Sequence, residues 1–494
     1  MISRLAALAA ALFLASCAVG PNFFAPSAPD VSGYAPGKPA DRTASADVAG
    51  GEAQRFVAGK DIPGQWWSLF HSAPLDELIK EALKSSPTLD AAQASLRQAQ
   101  ENVAAQKGVF LPSINGNFST TREKTSGATF GNPHSSSLFT LTTGSLSMSY
   151  VLDVFGGERR QLESVEAQAD FQRYQLEAAY LTLTSNVVAA AIQEASLRAQ
   201  IAATQEIITA ETQQLEVLQR QFNLGGASRA AVLAQQATLS ATQATLPNLE
   251  KQLAQQRILL TALAGRFPSQ EVSQTFDLAA LQLPQELPVS LPSKLVEQRP
   301  DVQASQAQLH QASAQVGVAI ANMLPQITLS ASYGNTVTDI GKLLDGPGIW
   351  SLGAGLVQPI FKGGQLLHEK RAAEAAYQAA AAQYRGTVIT AFQNVADALR
   401  ALQSDAAALA AQLAAERSAA DNLAISRRQY QDGAINYSTL LNAETTYQQA
   451  HINRVVAQAT RFSDTAALFQ ALGGGWWNRT DLADESAGTA GMKP

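Results

Sequence analysis

The chain of 494 residues is long enough for several globular domains, but its composition is unusual for a soluble helical protein. Only 15% of its residues are charged, whereas roughly 25% is usual in soluble domains. The formal net charge of −6 argues against a nucleic-acid surface, and the five histidines form no pair at metal-ligand spacing. No catalytic or phosphate-binding motif is present either, so we predict no enzyme, no metal site and no cofactor.

The first 16 residues have the features of a signal peptide. Arg4 precedes the apolar run LAALAAALFLAS, which is too short to span a membrane as a mature helix. The run ends at Cys17, the only cysteine of the chain, and the segment LASC resembles a bacterial lipobox. We predict a lipid anchor at Cys17, the alternative being a chance cysteine near an ordinary cleavage site. Ala18 favours delivery to the outer membrane by the same resemblance, and residues 17–64 are predicted to form a lipidated tether.

Two pairs of segments, at about 112–152 and 325–358, alternate between apolar or small residues and polar ones. This period of two is typical of a strand with one apolar face. Each segment is about as long as a tilted strand that spans a membrane. The alternative is a set of strands in a soluble sheet. The alternating residues are Ile114, Gly116, Phe118 and Thr120; Leu146, Met148, Tyr150 and Leu152; Ile327, Leu329, Ala331 and Tyr333; and Trp350, Leu352, Ala354 and Leu356.

Two stretches without proline predict long helices, from about 158 to 222 and from about 365 to 430. Apolar residues recur at every seventh position toward their ends, which predicts partner helices and left-handed supercoiling. Gly225 and Gly433 follow these stretches and predict the turns of two helical hairpins. The first seam is Ile201, Ile208, Leu215 and Phe222, with Leu197 and Leu218 in a companion seam. The second is Leu402, Leu409, Leu423 and Tyr430, interrupted by Glu416.

The chain contains an internal two-fold repeat. Pro87 and Pro300 are 213 residues apart, and Pro112 and Pro325 have the same separation. Two prolines in one register indicate duplication. We therefore predict a first repeat over 65–268, a linker over 269–291, a second repeat over 292–477 and a flexible tail over 478–494.

Four strands of one chain are too few to close a membrane barrel, because the smallest known barrels have about eight. Lipid accepts only helices and closed barrels, since every backbone polar group must be hydrogen-bonded. Two copies of the chain supply eight strands around an interior filled by side chains, and three copies supply twelve strands that can enclose a conduit. The predicted fold class is an α+β membrane protein whose β-barrel closes across subunits.

Several segments resemble the outer membrane factor family, the TolC-like channels, and in particular its NodT-type lipoprotein branch. They are QWWSLFHSAPLDELIKEAL (65–83), TLPNLEKQLAQQRILLTALAGRFP (245–268), LVEQRPDV (295–302) and ALGGGWW (471–477). The resemblance implies a homotrimer with a twelve-stranded outer-membrane β-barrel, continued by a long periplasmic α-helical barrel. It also implies a lipid-anchored, passive exit duct for small molecules. The implied partners are a periplasmic adaptor protein and an inner-membrane resistance-nodulation-division transporter.

The same resemblance implies that the hairpin tips, 223–228 and 431–436, dock the adaptor. The tip residues are Asn223, Leu224, Gly225, Gly226, Ala227, Ser228, Asp432, Gly433, Ala434, Ile435 and Asn436. Candidate gate residues are Phe222, Arg229, Arg427, Arg428, Tyr430, Asp432, Thr439 and Asn442. Family members often carry charges where this chain has Ile435, Thr439 and Asn442, so we expect no carboxylate ring there. For Phe222 and Tyr430 we favour packing in the heptad seam.

Six aromatic residues have predicted positions. Trp66, Trp67, Trp476 and Trp477 are expected to pack outside the helical barrel, where the chain ends lie. Trp350 and Tyr150 are the candidates for an aromatic belt at the membrane interface.

Three other functions remain as alternatives. An outer-membrane channel of type I protein secretion has the same fold, although the lipobox and the NodT-like segments disfavour it. A periplasmic, lipid-anchored coiled-coil scaffold explains the heptads but not the four strand segments. An envelope hydrolase has no nucleophile–base arrangement in the sequence to support it.

Overall fold

The computed structural model describes residues 18–479, apart from 32, 37–40, 127, 129–130 and 132–133. The predicted signal peptide, Cys17 and residues 480–494 of the predicted tail lie outside the described residues. The described chain forms two compact units, and each combines segments from both predicted repeats. The first unit holds 18–26, 94–173 and 304–385, and the second holds the remainder.

The described residues form six strands and eight α-helices. The strands are β1 (Arg55–Ala58), β2 (Ser113–Ser126), β3 (Ser136–Leu152), β4 (Glu286–Val289), β5 (Gln326–Val337) and β6 (Gly348–Val357). The helices are α1 (Ala73–Ser85), α2 (Pro87–Gly108), α3 (Gly157–Asn223), α4 (Arg229–Leu263), α5 (Pro292–Gln298), α6 (Pro300–Ala321), α7 (Gln365–Gln431) and α8 (Tyr437–Ala471).

Three pairs of equivalent helices in the two repeats have equal lengths. Helices α2 and α6 have 22 residues each, α3 and α7 have 67, and α4 and α8 have 35. The two long helices lie where the proline-free stretches predict them. None of the helices in the described ranges has both the length and the apolar character that crossing a membrane requires.

The first unit contains an antiparallel sheet in which all apolar positions of the alternation share one face. The strand order is β2-β3-β5-β6, so β2 and β6 are its edges. Residues directly opposite each other on neighbouring strands point to the same face. Leu146 lies opposite Gly116 on one side and Tyr333 on the other, and Tyr333 lies opposite Trp350. A second apolar row runs through Ile114, Met148, Ala331 and Leu352.

The opposite face of this sheet carries small polar residues. Asn115 lies opposite Ser147, Ser147 opposite Ser332, and Ser332 opposite Ser351. The hydroxyls of Ser332 and Ser351 are hydrogen-bonded at 2.8 Å, and Asn117 Nδ2 donates to Ser147 Oγ at 3.0 Å. The sheet therefore has one apolar and one hydrophilic face.

The chain just after Cys17 packs within the first unit. The amide of Val19 donates to the carbonyl of Phe155 at 3.0 Å, at the junction of β3 and α3. The buried Arg160 donates to Val19 O at 3.0 Å and to Asn22 Oδ1 at 2.7 Å. The ring of Phe23 stacks on His310 at 4.3 Å. These contacts hold the start of the predicted tether against the base of the sheet.

A later part of the predicted tether packs within the second unit. Strand β1 pairs in parallel with β4, which lies in the predicted linker. The guanidinium of Arg461, on α8, is buried and donates to the carbonyls of Gly50 at 3.0 Å and Glu52 at 2.9 Å. Residues 50–58 are thus bound to a helix and a strand from distant parts of the sequence.

The four tryptophans at the ends of the folded region belong to the second unit. Trp66 and Trp67 are buried, and Trp66 stacks on Phe469 with 5.4 Å between ring centroids. Trp476 Nε1 donates to the carbonyl of Gln298 at 2.7 Å, and Trp477 Nε1 donates to Asp61 at 3.0 Å. Through these contacts the indoles attach both ends of the folded chain to the second unit. Trp350 and Tyr150, in contrast, lie on strands of the sheet.

Candidate functional site

The two helical hairpins end in tips of the same geometry. Residues 224–228 join α3 to α4, and residues 432–436 join α7 to α8. Gly225 and Gly433 have φ angles of 79° and 72°, in the left-handed region that favours glycine. The next amide in each tip donates to the carbonyl five residues earlier at 2.8 Å, from Gly226 to Gln221 and from Ala434 to Gln429.

Each return helix begins with a capping side chain at the equivalent position. Ser228 Oγ accepts from the amide of Ala231 at 3.2 Å, and Asn436 Oδ1 accepts from the amide of Thr439 at 3.0 Å. Such caps satisfy an amide that has no partner inside the helix. Gly225 and Gly433 are 208 residues apart, and the capping residues Ser228 and Asn436 have the same separation.

The tips are accessible in this chain. Leu224 is 87% exposed, although it is apolar, and Asp432 is the exposed residue at the equivalent place in the second tip. A Cβ added at Gly225 or Gly433 would meet no atom within 4 Å. Ala227 and Ile435 are half-buried. The other predicted docking residues are exposed, namely Asn223, Gly225, Gly226, Ser228, Gly433, Ala434 and Asn436.

Behind the tips, the two hairpins share an apolar core. It consists of Leu218 from α3, Leu423 from α7, and Tyr437, Leu440 and Ala443 from α8. Tyr430 packs against this core as expected, with its ring 5.7 Å from that of Tyr437 in an edge-on arrangement. Phe222 differs from our expectation of seam packing, because its side chain is 43% exposed where α3 ends.

One of the candidate gate residues has a buried partner. Arg427 Nη2 lies 3.5 Å from Glu444 Oε1, and the Glu444 side chain is 6% exposed. Thr439 Oγ1 donates to Asn436 Oδ1 at 3.0 Å, which makes Thr439 part of the cap. Arg229, Arg428, Asp432 and Asn442 are exposed on this chain. Their role in a gate stays a prediction.

A buried polar layer connects the hairpins on the side of the apolar core away from the tips, and we did not predict it from the sequence. Tyr437 donates its hydroxyl to Gln235 Oε1, and Gln235 Nε2 donates to the carbonyl of Glu211 at 3.1 Å. Thr242 Oγ1 and Gln448 Nε2 donate to Glu211 Oε1 at 3.0 and 2.9 Å. The signal was present in the seam that contains Leu197 and Leu218, because its sevenfold spacing passes through Thr204 and Glu211.

Burial changes the proton affinity of this layer. It raises the pKa of Glu211, where hydrogen bonds from Gln448 and Thr242 oppose the shift. It also raises the pKa of Glu444, an effect that Arg427 opposes and Glu211 reinforces. The phenol pKa of Tyr437 is raised by burial and by the nearby carboxylates. The carboxyls of this layer therefore hold their protons more tightly than exposed ones do.

A second polar layer lies further along α7 and α8. Glu416, the residue that interrupts the second heptad seam, bonds to His451 Nδ1 and accepts from Arg454 Nε at 2.9 Å. Arg454 also donates to Gln458 Oε1 at 2.9 Å. The residue that interrupts the apolar seam thus has half-buried electrostatic partners on the facing helix.

Both hairpins lie in segments that match a known family. The family model for outer membrane efflux proteins matches residues 78–266 and 291–474. The chain belongs to the outer membrane efflux protein family. It is 30% identical over 437 residues to the pyoverdine export outer membrane protein OpmQ of Pseudomonas putida, which covers 87% of this chain and 92% of that protein.

Two further comparisons agree with this membership. The chain is 25% identical to Nodulation protein T of Rhizobium leguminosarum bv. trifolii over 475 residues, or 94% of this chain and 96% of that one. The crystal structure of the outer membrane protein VceC from Vibrio cholerae matches with a TM-score of 0.79 at 27% identity. That match covers 84% of this chain and 100% of VceC.

The family, the outer-membrane location and the role as an outer-membrane exit duct of an efflux pump are confirmed as predicted. In the described part of the chain, no group of three or more His, Cys, Asp or Glu is placed to hold a metal ion.

Proposed function

We propose that three copies of the chain form a passive duct that carries small molecules across the outer membrane. Each copy supplies four strands to a twelve-stranded barrel, and the helical hairpins form the periplasmic part of the wall. In this proposal the apolar face of the sheet contacts lipid and the face of serine and asparagine residues contacts water. The chain itself catalyses no reaction.

The continuous apolar face of the sheet carries this proposal. Leu352 is 77% exposed in the single chain, and rows of such side chains cross all four strands. Strands β2 and β6 are the edges of the sheet, and an exposed edge needs a partner in lipid. Pairing β6 of one copy with β2 of the next supplies that partner. Twelve strands leave an aqueous lumen, in keeping with the small polar residues of the inner face.

The tips are the proposed docking surface for a periplasmic adaptor protein. Three copies bring six tips together, alternating between the exposed Leu224 and the exposed Asp432. Glycine at each turn permits close approach of another backbone, because no side chain stands between them. The adaptor would join the duct to an inner-membrane transporter of the resistance-nodulation-division type, which supplies the energy.

Reconstitution tests the duct. The mass of the detergent-solubilised protein is expected to be three times that of the chain, and planar bilayers are expected to show discrete conductance steps. A channel closed at rest is expected to conduct after two exposed charges are neutralised, those of Asp432 in the second tip and Arg428 at the end of α7. A monomeric mass together with no conductance in either form would reject the proposal.

A further inference from the structure

A cavity of about 210 Å³ lies behind the tips, between α3 of the first hairpin and α7 and α8 of the second. Its wall includes the apolar Leu423, the ring of Tyr447 and three glutamates, Glu206, Glu211 and Glu444. A cavity of about 150 Å³ holds benzene, so this one has room for roughly six to eight non-hydrogen atoms. The proposed docking and transport functions give this cavity no role.

Glu211, a residue of the cavity wall, has one carboxylate oxygen without a hydrogen-bond partner. Glu211 is only 2% exposed, and its Oε1 already accepts from Thr242 and Gln448. Its Oε2 is buried, and no group in the described ranges donates to it. Buried polar atoms of native proteins almost always have a partner in the protein, in water or in a ligand. Oε2 therefore marks a place for a donor from outside the chain.

The charges on the cavity wall are mainly negative. Glu206, Glu211 and Glu444 supply three carboxylates, whereas Arg427, 3.5 Å from Glu444, supplies one guanidinium. Burial raises the pKa of Glu444, and the proximity of Glu211 raises it further. A cation in the cavity would relieve both the desolvation and the repulsion.

His451, another residue of the wall, has a hydrogen-bond partner that does not line the cavity. Its Nδ1 bonds to Glu416, which also accepts from Arg454. Arg454 also donates to Gln458 Oε1. The unmet acceptor stays on the Glu211 side.

We propose that this cavity is a binding site for a small primary alkyl amine. The ammonium group pairs with the carboxylates of Glu211 and Glu444, and the alkyl chain packs against Leu423. The face of the Tyr447 ring, on the same wall, also attracts a cation. A metal ion suits the site less well, because the described residues place no set of three or more His, Cys, Asp or Glu to hold one.

A bound amine would bridge the two hairpins, since Glu211 belongs to α3 and Glu444 to α8. The bridge adds a charge-assisted hydrogen bond on each side of the cavity. Occupancy is therefore expected to slow the separation of the hairpins behind the tips. This consequence concerns one chain and does not depend on the number of copies in the duct.

Calorimetric titration of the full-length, detergent-solubilised protein with n-butylammonium chloride tests the site. We expect saturable binding of one amine per chain, and no binding of 1-butanol, which has nearly the same shape but no charge. Glu211→Gln is expected to weaken binding at least tenfold, because the neutral amide of glutamine carries no negative charge to pair with the ammonium group. Glu444→Gln is expected to act in the same direction.

Two further variants make the result specific. Glu216→Gln removes an exposed carboxylate from the same helix outside the cavity wall and is expected to leave binding unchanged. Ala210→Leu fills part of the cavity without altering charge and is expected to weaken binding. Circular dichroism and oligomer mass verify that each variant is folded. If Glu211→Gln does not fold, Ala210→Leu still tests the site.

Hydrogen exchange gives a second readout, in which the amine is expected to slow exchange near 207–215 and 440–448 in the original protein but not in Glu211→Gln. The proposal is overturned if the original protein shows no saturable binding. It is equally overturned if 1-butanol binds as well as the amine, or if folded Glu211→Gln and Ala210→Leu bind it unchanged. Displacement by equimolar potassium chloride would also overturn it, because that would indicate counterion screening alone.

Discussion

The left-handed glycines of the tips are the residues at which substitution tests docking most directly. Gly225→Asp and Gly433→Asp are each expected to reduce export while leaving assembly intact. The added Cβ meets open space, and positive φ costs about 1 kcal/mol for a residue with a side chain. The new carboxylate then lies on the docking surface. Drug tolerance of an efflux-deficient host measures export, and oligomer mass measures assembly.

Gly225→Ala and Gly433→Ala are the matched controls, because they introduce the same backbone strain without the charge. They are expected to export better than the aspartate variants. If both aspartate variants keep full drug tolerance, the tips are not the docking surface.

Asp464, on α8, predicts a pH dependence of stability. Burial, together with a hydrogen bond and repulsion from Asp405, raises its pKa to about 8, and Arg461 opposes the shift. The folded chain then keeps a proton that the unfolded chain loses between about pH 4 and pH 8. The free energy of unfolding therefore falls as the pH rises through this interval, and the penalty is largest above it.

Asp464→Asn is expected to remove this penalty and to be the more stable protein at pH 8, by about 1 kcal/mol or more. At pH 4 the two proteins are expected to differ less. Thermal unfolding at both pH values measures the change. Asp397, on α7, lines the same surface cavity as Asp464 but is exposed, so Asp397→Asn serves as the control. If Asp464→Asn and Asp397→Asn change the pH dependence of the free energy of unfolding equally, Asp464 is not its source.

At the scale of elements, the two faces of the sheet are expected to respond differently to the same charge. Leu352 and Ser351 are neighbours on β6 and point to opposite faces. Leu352→Lys places an ammonium on the proposed lipid face, where the cost is roughly 2–4 kcal/mol at mid-membrane. Ser351→Lys places it toward the proposed lumen, where water is available.

Leu352→Lys is therefore expected to lower the amount of assembled protein in the outer membrane, as measured by fractionation. Ser351→Lys is expected to assemble and to shift the ion selectivity of the conductance toward anions. If both variants assemble equally, the apolar face does not contact lipid.

The elements that depend on local pattern were predictable from the sequence. Strand alternation is set by neighbouring residues, so the apolar face containing Leu146 and Tyr333 followed from a period of two. The tips were predictable because a glycine follows each heptad seam. The pairing of β1 with β4 was not predictable, because each strand has only four residues and both lie in segments rich in turn signals.

The buried glutamates show a different limit. Sevenfold spacing places Glu211 in a seam, but the spacing alone does not say which helix faces it. Its polar neighbours Gln448 and Glu444 come from the other repeat, more than 230 residues away. A seam carboxylate can equally be read as a break in the heptad, as Glu416 was. Only the packing of both hairpins identifies the partner.

At the scale of the whole molecule, the predicted lipid anchor is expected to be separable from assembly. Residues 19–23 are held by their own contacts to Phe155, Arg160 and His310. Cys17→Ala, placed behind a conventional cleavable signal peptide, is expected to lose labelling by radioactive palmitate. It is still expected to give the oligomer mass of the original protein, because these contacts remain. Persistent labelling would contradict the lipid attachment at Cys17, and loss of the oligomer would show that assembly needs the anchor.

The equal lengths of the paired helices restrict how such a chain can evolve. Deleting one residue from α3 alone would withdraw its tip by about 1.5 Å and rotate the helix beyond the deletion by about 100°. Leu218 would then leave the core that it shares with Leu423 of the second hairpin. Whole heptads preserve the seam, but only if α4, α7 and α8 change by the same amount. A lineage with a longer or shorter duct would therefore have to arise by matched insertions or deletions in all four helices, in steps of about 10 Å.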